Sequence, residues 1–304
     1  MYQIVTVPAD APEDQESLGS KYKFWFGSQQ YLFKEAREPT GEDWAEKVCA
    51  EVAGLLGLPH AEYDLGLWRR SSLEVRGVVS RNFCGHGDTL ILGNELLAEV
   101  DPEYAPGVSK FRVSAHTIER VLRTIQNKNP RFPFAWNAPT QISHPVELFA
   151  GYLLLDALVG NTDRHHENWG AVRSEGGQLH LAPTFDHASS LGCHESEDKK
   201  SSRLLTRDMN FTVEAFASKA RSALYLNERD TRPLRTYEAF LAFAHQLPLA
   251  GKCWLDRLRG IDDAELGILV DEVPQERITE VSAEFAKRLL RANKSALISM
   301  RDQV

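Results

Sequence analysis

The 304-residue sequence is short of cysteine: Cys49, Cys84, Cys193 and Cys253 are the only four, and no Cys-x-x-Cys spacing occurs. A disulfide framework and a cysteine-based zinc site are therefore not expected, and the four read as unpaired thiols in a reducing cytoplasm. Basic charge is also in deficit, with 35 Lys and Arg against 43 Asp and Glu and a net charge of −8. A broad nucleic-acid surface is excluded on that ground, because neutralising phosphates requires clustered Lys and Arg. Only a local basic patch stays open. The start, Met1 to Val7, lacks a basic stretch followed by an apolar run, so no secretory signal is expected. The longest apolar stretch, Phe149 to Val159, is interrupted by Asp156 and is too short to cross a bilayer. No internal repeat is visible, and no basic amphipathic helix favours a membrane substrate. His-x-x-x-His spacing is missing too, and adjacent His165 and His166 point different ways, which argues against zinc.

What is present suffices for a sizeable core. Hydrophobic residues make up 42% and charged residues 26%, which suits one large domain or two modest lobes sharing a cleft. The first part reads as strands. Tyr22, Phe24 and Phe26 alternate with Lys21, Lys23 and Trp25; Gly27-Ser28 can turn the chain, and Tyr31 to Lys34 continues it. A helix follows, with Thr40 and Asp43 as a capping pair and Trp44, Val48, Val52 and Leu55 at helical spacing. Gly57 and Pro59 stop it. Two further strands are predicted near Leu65–Trp68 and Leu73–Val79. Residues 88–139 look mixed, with a helix near Thr117–Gln126 and a proline-marked loop at 130–139. A strong helix is predicted from Pro145 to Val159, with Gly160 at its exit. Two short strands, Trp169–Arg173 and Gln178–Ala182, join across Gly176-Gly177. Glu195 to Ser202 reads as a charged, flexible loop. Helices dominate from Tyr237, ending with Val281–Met300. This order predicts an α+β chain of two lobes sharing a cleft, with a strand-rich lobe over 1–90 and a helical lobe over 91–304.

The most informative segment is Asn161-Thr162-Asp163-Arg164-His165-His166-Glu167-Asn168, directly after the long apolar helix and ahead of a hairpin and Phe185-Asp186-His187. Phosphoryl transfer explains these residue types. A carboxylate must orient the attacking hydroxyl and take its proton, and a divalent metal must neutralise the β- and γ-phosphates. Mg²⁺ prefers oxygen ligands and few protein groups. An Asp and an Asn five positions apart, with a second Asp beyond a hairpin, supply that set, and the kinase catalytic loop has the same spacing. The other lobe should then offer a lysine and a carboxylate to hold it. Lys34 stands on a predicted strand, and Glu46 stands early in the next helix beside the small residues Ala50 and Ala53. Glu51 is the fallback partner. Gly19-Ser20 lies where a phosphate-covering turn belongs.

The stretch from Leu153 to Gly170, followed by Phe185 to Gly192, closely resembles the C-terminal kinase region of the HipA family. That family has a kinase-like fold distantly akin to phosphoinositide kinases, and its founding members are Ser/Thr protein kinases that act as toxins in bacterial toxin–antitoxin systems. The resemblance implies ATP and Mg²⁺ as cofactors, Asp163 as catalytic base, Asn168 and Asp186 as Mg²⁺ ligands, and Lys34 as the nucleotide-contacting lysine. Glu46 fits a family pattern of a Glu ahead of a helix ending in Gly-Leu-Pro, here Gly57-Leu58-Pro59. The match is specific over 150–192 and looser over 18–60. Longer family members carry an extra N-terminal subdomain for which this chain has no room, so antitoxin and operator binding do not transfer directly. Ser20 is the candidate for autophosphorylation.

The expected function is a Ser/Thr protein kinase, as a toxin or defence component, with a protein substrate and an antitoxin or regulatory partner. The alternatives are a small-molecule or phosphoinositide-type kinase, and a non-catalytic nucleotide-binding scaffold. Other readings stand beside these. Asp163 and Asn168 can cap turns, Lys34 and Glu46 can be solvated, and His187 can either help position Asp186 or serve packing alone. Arg164 and His165 are expected to brace the loop, with Asp156 a buried hydrogen-bonding group. Ser201, Ser202 and Thr206 are phosphorylation candidates if 195–202 is an activation segment, and Tyr225 and Ser218–Ser222 are candidate substrate contacts.

Overall fold

The computed structural model describes residues 1–12, 14–15, 22–70, 73–105 and 112–304. Its first part is a six-stranded sheet and one helix: β1 (Ile4–Val7), β2 (Asp14–Gln15), β3 (Lys23–Phe26), β4 (Tyr31–Glu35), α1 (Glu42–Leu56), β5 (Tyr63–Arg70) and β6 (Leu73–Arg81). The strand order is β1-β5-β6-β4-β3-β2. All neighbours are antiparallel except β1, which runs parallel to β5 with Ile4 opposite Leu65.

Side chains alternate between the faces of a strand, and the alternation decides where the site's lysine points. Phe24, Phe33, Trp68, Val79 and Val7 form one cluster on one face. Lys34, next to Phe33, therefore falls on the other face, opposite Val78. Val78 packs there with Ala50 of α1, Ala61 and Tyr63. The small side chains of α1 let the helix lie close to the sheet.

Beyond the connecting residues 82–88 come β7 (Thr89–Leu92), α2 (Gly93–Val100), α3 (Ile118–Lys128), α4 (Pro145–Val159), β8 (Gly170–Arg173), β9 (Leu179–Leu181), α5 (Glu197–Leu205), α6 (Val213–Ala217), α7 (Thr236–Ala244), α8 (Pro248–Gly260), α9 (Asp263–Asp271), α10 (Glu280–Ser299) and a last 3₁₀ turn at Arg301–Gln303. Strands β7, β8 and β9 form a second, antiparallel sheet.

Helix α4 is the axis of the core. Every residue in it except Glu147 is buried, as expected of a helix that is apolar all round. Pro145 takes its first position, and the Glu147 carboxylate accepts from the backbone N–H groups of Ser143 (2.6 Å) and His144 (3.0 Å). Gly160 ends it in the left-handed region at φ 66°, a conformation that costs glycine little. Helices α7, α8 and α10 pack around it. Among the described residues no helix is long and apolar enough to cross a membrane.

Three sequence expectations are corrected here. Glu195–Ser202 is not a loop, because most of it belongs to α5. Its charges are satisfied by α10: Lys200 Nζ donates to Ser282 Oγ at 2.6 Å, and Glu197 accepts from Thr279 Oγ1 at 2.6 Å. Thr40 and Asp43 do not cap α1. Thr40 Oγ1 donates to the Arg37 carbonyl (2.5 Å) while Asp43 is buried against Arg277. Tyr225 is buried rather than a surface contact, its N–H donating to the His116 carbonyl at 3.0 Å. Strands β1 and β7 and helix α2 were not anticipated.

Candidate active site

The loop after α4 is tied down by one buried ion pair. Asp156, an otherwise misplaced carboxylate inside an apolar helix, accepts from Arg164 Nε and Nη2, both at 2.7 Å, and from Asn161 Nδ2 at 2.8 Å. Arg164 is fully buried. Burial alone would push the guanidinium toward neutrality, but the Asp156 charge more than offsets this and its pKa is raised. The fork's remaining N–H groups reach the Asn168 carbonyl (2.5 Å), Thr184 Oγ1 (3.0 Å) and the Phe185 carbonyl (3.4 Å). One side chain thus holds both ends of the loop and the segment leading to Asp186. The bidentate fit is what a planar guanidinium provides and an ammonium does not.

Within the loop, the Asp163 N–H donates to Asn161 Oδ1 at 3.0 Å, and Asn168 Nδ2 donates to the Asp163 carbonyl at 2.7 Å. His165 Nδ1 accepts from the Glu167 N–H (3.1 Å), and its Nε2 lies 3.9 Å from Asp163 Oδ1. The Asp163 side chain keeps 27% of its surface exposed. His166 turns away and its Nδ1 meets the Tyr104 hydroxyl at 2.5 Å. Behind it, buried His116 uses both ring nitrogens, Nδ1 on the Ala223 carbonyl (3.1 Å) and Nε2 accepting from Trp169 Nε1 (3.1 Å). Burial, then the neighbouring His166, pulls the His116 pKa down to about 3.

The second half of the site joins three segments distant in sequence. Lys34 Nζ lies 3.3 Å from Glu46 Oε2 and forms a second ion pair with Asp186. Lys34 is 8% exposed and Glu46 is fully buried, so neither is a solvated surface residue. Desolvation would discharge this lysine, but the Asp186 and Glu46 charges outweigh it and raise its pKa. Burial likewise opposes the Glu46 charge, while Lys34 and the His187 hydrogen bond win and lower its pKa. Glu46 Oε1 accepts from the His187 N–H at 2.5 Å, and His187 Nε2 meets Thr184 Oγ1 at 2.8 Å. Asp186 itself sits at φ 58°, uncommon for a residue with a Cβ. Its N–H donates to the Tyr63 hydroxyl at 3.2 Å. Strained backbone of this kind persists where surrounding contacts over-determine it.

The structure therefore brings Lys34, Glu46 and Asp186 into contact, with Asp163 and Asn168 on one braced loop. Glu51 does not partner Lys34; it pairs with Lys47 at 2.7 Å. Gly19 and Ser20 lie outside the described residues. The role of Tyr63 in holding Asp186 was not read from the sequence, where no local pattern signals it, whereas His187, read as a residue that could position Asp186, donates its N–H to Glu46. A separate cleft of about 1210 Å³ opens between Pro59-His60, Asn82-Phe83 and Phe134–Trp136, and Lys34, Glu46, Asp163, Asn168 and Asp186 do not line it.

The donor set fits Mg²⁺. Asp186 offers carboxylate oxygens, and Asn168, having committed its amide nitrogen to the Asp163 carbonyl, offers its amide oxygen. Mg²⁺ takes few protein ligands and completes its shell with phosphate and water.

No family model matches the sequence, and no curated protein matches it either. Solved structures do match. The proinflammatory kinase CtkA of Helicobacter pylori aligns over 98% of both chains with a TM-score of 0.72 at 21% identity. HipA of Shewanella oneidensis, solved in a toxin–antitoxin complex with HipB and operator DNA, aligns over 95% of this chain and 67% of its own, with a TM-score of 0.60 at 12% identity. The chain has the α+β, HipA-like kinase fold that the motif resemblance implied.

Proposed function

We propose that this chain is a Mg²⁺- and ATP-dependent phosphotransferase, a HipA-like kinase acting on serine or threonine of a protein substrate. The observation that carries the reading is the meeting of Lys34 with both Glu46 and Asp186 beside the braced loop of Asp163 and Asn168. A scaffold has no need to keep a buried lysine between two carboxylates.

Lys34, held by Glu46, bears on the nucleotide phosphates. Asn168 and Asp186 would hold Mg²⁺, which when bound neutralises charge on the β- and γ-phosphates. Asp163 accepts the proton of the attacking hydroxyl, and the Asn168 amide on its carbonyl keeps the loop, and so the carboxylate, oriented. Arg164 positions that loop from beneath without touching substrate. The nucleotide would lie between lobes 1–90 and 91–304, and Gly19 and Ser20, outside the described residues, are read as its further contacts. A regulatory protein partner is part of the reading, since the similar HipA structure belongs to a toxin–antitoxin system with HipB.

The test is transfer of labelled γ-phosphate from Mg-ATP into a cell lysate by wild type and by Asp163→Asn. A discrete labelled protein band is expected with wild type. The variant should lose roughly 10²–10⁴-fold in turnover while retaining its fold. Label in small molecules or lipids alone would replace the protein substrate with another acceptor. ATP binding with no transfer would leave a nucleotide-binding scaffold.

A further inference from the structure

Helix α1, which carries Glu46, is gripped at both ends by the C-terminal half of the chain. In its first turn, Asp43 Oδ2 accepts from Arg277 Nη1 at 2.8 Å, and both side chains are almost wholly buried, 4% and 2% exposed. Arg277 belongs to the link between α9 and α10, and its own N–H is tied to the Pro274 carbonyl at 2.8 Å. Its Nη2 goes on to the Gly66 carbonyl of β5 at 2.9 Å, so one guanidinium spans the helix, the sheet and the C-terminal link. At the other end, Arg257 Nε of α8 donates to the Leu56 carbonyl and Trp136 Nε1 to the Gly57 carbonyl, both at 2.9 Å. Gly57 is at φ 75°, and a Cβ there would meet the Arg257 guanidinium at 2.3 Å.

Asp43 and Glu46 are three residues apart, neighbours on one helical face. Any shift of α1 that separated Glu46 from Lys34 would also part Asp43 from Arg277 and strand a buried charge, a strongly unfavourable outcome. We infer that Arg277 is a positioning residue for nucleotide binding: through Asp43 it holds α1 where Glu46 meets Lys34. This rests on the kinase reading above for its consequence, though the grip itself does not.

The experiment uses the full chain as wild type, Arg277→Met, Lys34→Met and the double variant. Mg-ATP affinity is measured by calorimetry, and hydrogen exchange of α1 amides is followed in the nucleotide-free protein. Arg277→Met is expected to weaken Mg-ATP binding about tenfold, and Lys34→Met to weaken it more. The double variant should match Lys34→Met, because residues acting through one contact are not additive. Exchange should rise in the first turns of α1 while α4 stays protected. Arg277→Lys, which keeps the charge on Asp43, should recover part of the affinity. If the two losses simply multiply, or if exchange rises evenly along the chain, Arg277 adds only general stability and the inference is wrong. If Lys34→Met leaves Mg-ATP binding unchanged, the kinase reading falls, and the exchange pattern alone decides whether Arg277 holds α1. Should Arg277→Met fail to fold, Asp43→Leu combined with Arg277→Met removes both buried charges together, a replacement buried ion pairs often tolerate, and serves the same cycle.

Discussion

The loop after α4 and the strand–helix pair of β4 and α1 carry similar charges but are built in different ways. In the loop, Asp156, Asn161, Arg164 and Asn168 find one another within a dozen residues of sequence. In the strand–helix pair, contacts cross the chain: Lys34 to Asp186, Glu46 to His187, Asp43 to Arg277. The first region carries its own brace wherever that segment folds. The second exists only once both halves of the chain are in place. Substitutions in the Asp156–Arg164 brace should therefore act on the stability of the helical half, and substitutions on α1 should act on ligand affinity.

The largest effect is expected at the brace itself. Arg164→Met leaves Asp156 buried and unpaired, and breaking such a pair costs about 3–5 kcal/mol; chemical denaturation should show that loss. A variant as stable as wild type would mean that the loop does not depend on its local ion pair. Next comes Glu46→Gln, which removes a charge-assisted contact worth roughly 1.5–3 kcal/mol, or about 10–100-fold in Mg-ATP affinity if the contact is made only in the binding-competent arrangement. Calorimetry should find that loss. Glu51→Gln, on the same helix but paired with Lys47, should leave affinity unchanged, and equal effects at the two positions would erase the distinction drawn for α1.

The last effect, silent near neutral pH, is a pH dependence behind the loop. His116 is held neutral, its pKa lowered from the ordinary histidine value of 6.5 to about 3. A folded-state pKa below the unfolded one means that the unfolded chain binds the proton first. The stability His116 allows is thus fully present above pH 6.5 and is lost as pH falls toward 3. His116→Gln should flatten the acid limb of a stability–pH curve between those values while changing little at pH 8. A limb of unchanged slope would place the titrating group elsewhere.

The same contrast explains how much was legible in the sequence. Helix α4 and its exit were readable because an apolar run, Pro145 and Gly160 are local signals, and the Asp163–Asn168 spacing is a local consequence of the loop's geometry. Lys34 and Glu46 were reachable because strand alternation and helical spacing restrict which face each can occupy. Their meeting with Asp186, more than a hundred residues away, needed the motif resemblance as well. Arg277 had no signal at all, because an arginine in a link between helices looks the same whether it is solvated or buried on a carboxylate 234 residues earlier. The misreading of Glu195–Ser202 has the same origin. Its charges look solvated until Ser282 and Thr279 of the last helix and its cap are placed beside them. Asp156 was read correctly as a buried hydrogen-bonding group, but its partners emerged only with the fold.

The most direct test of the account is a crystal structure with Mg²⁺ and a non-hydrolysable ATP analogue. The metal should lie on the Asp186 carboxylate and the Asn168 amide oxygen, the phosphates at Lys34, and the terminal phosphate facing Asp163. A nucleotide seated instead in the cleft between Asn82-Phe83 and Phe134–Trp136, with Lys34 still closed on Asp186, would contradict it.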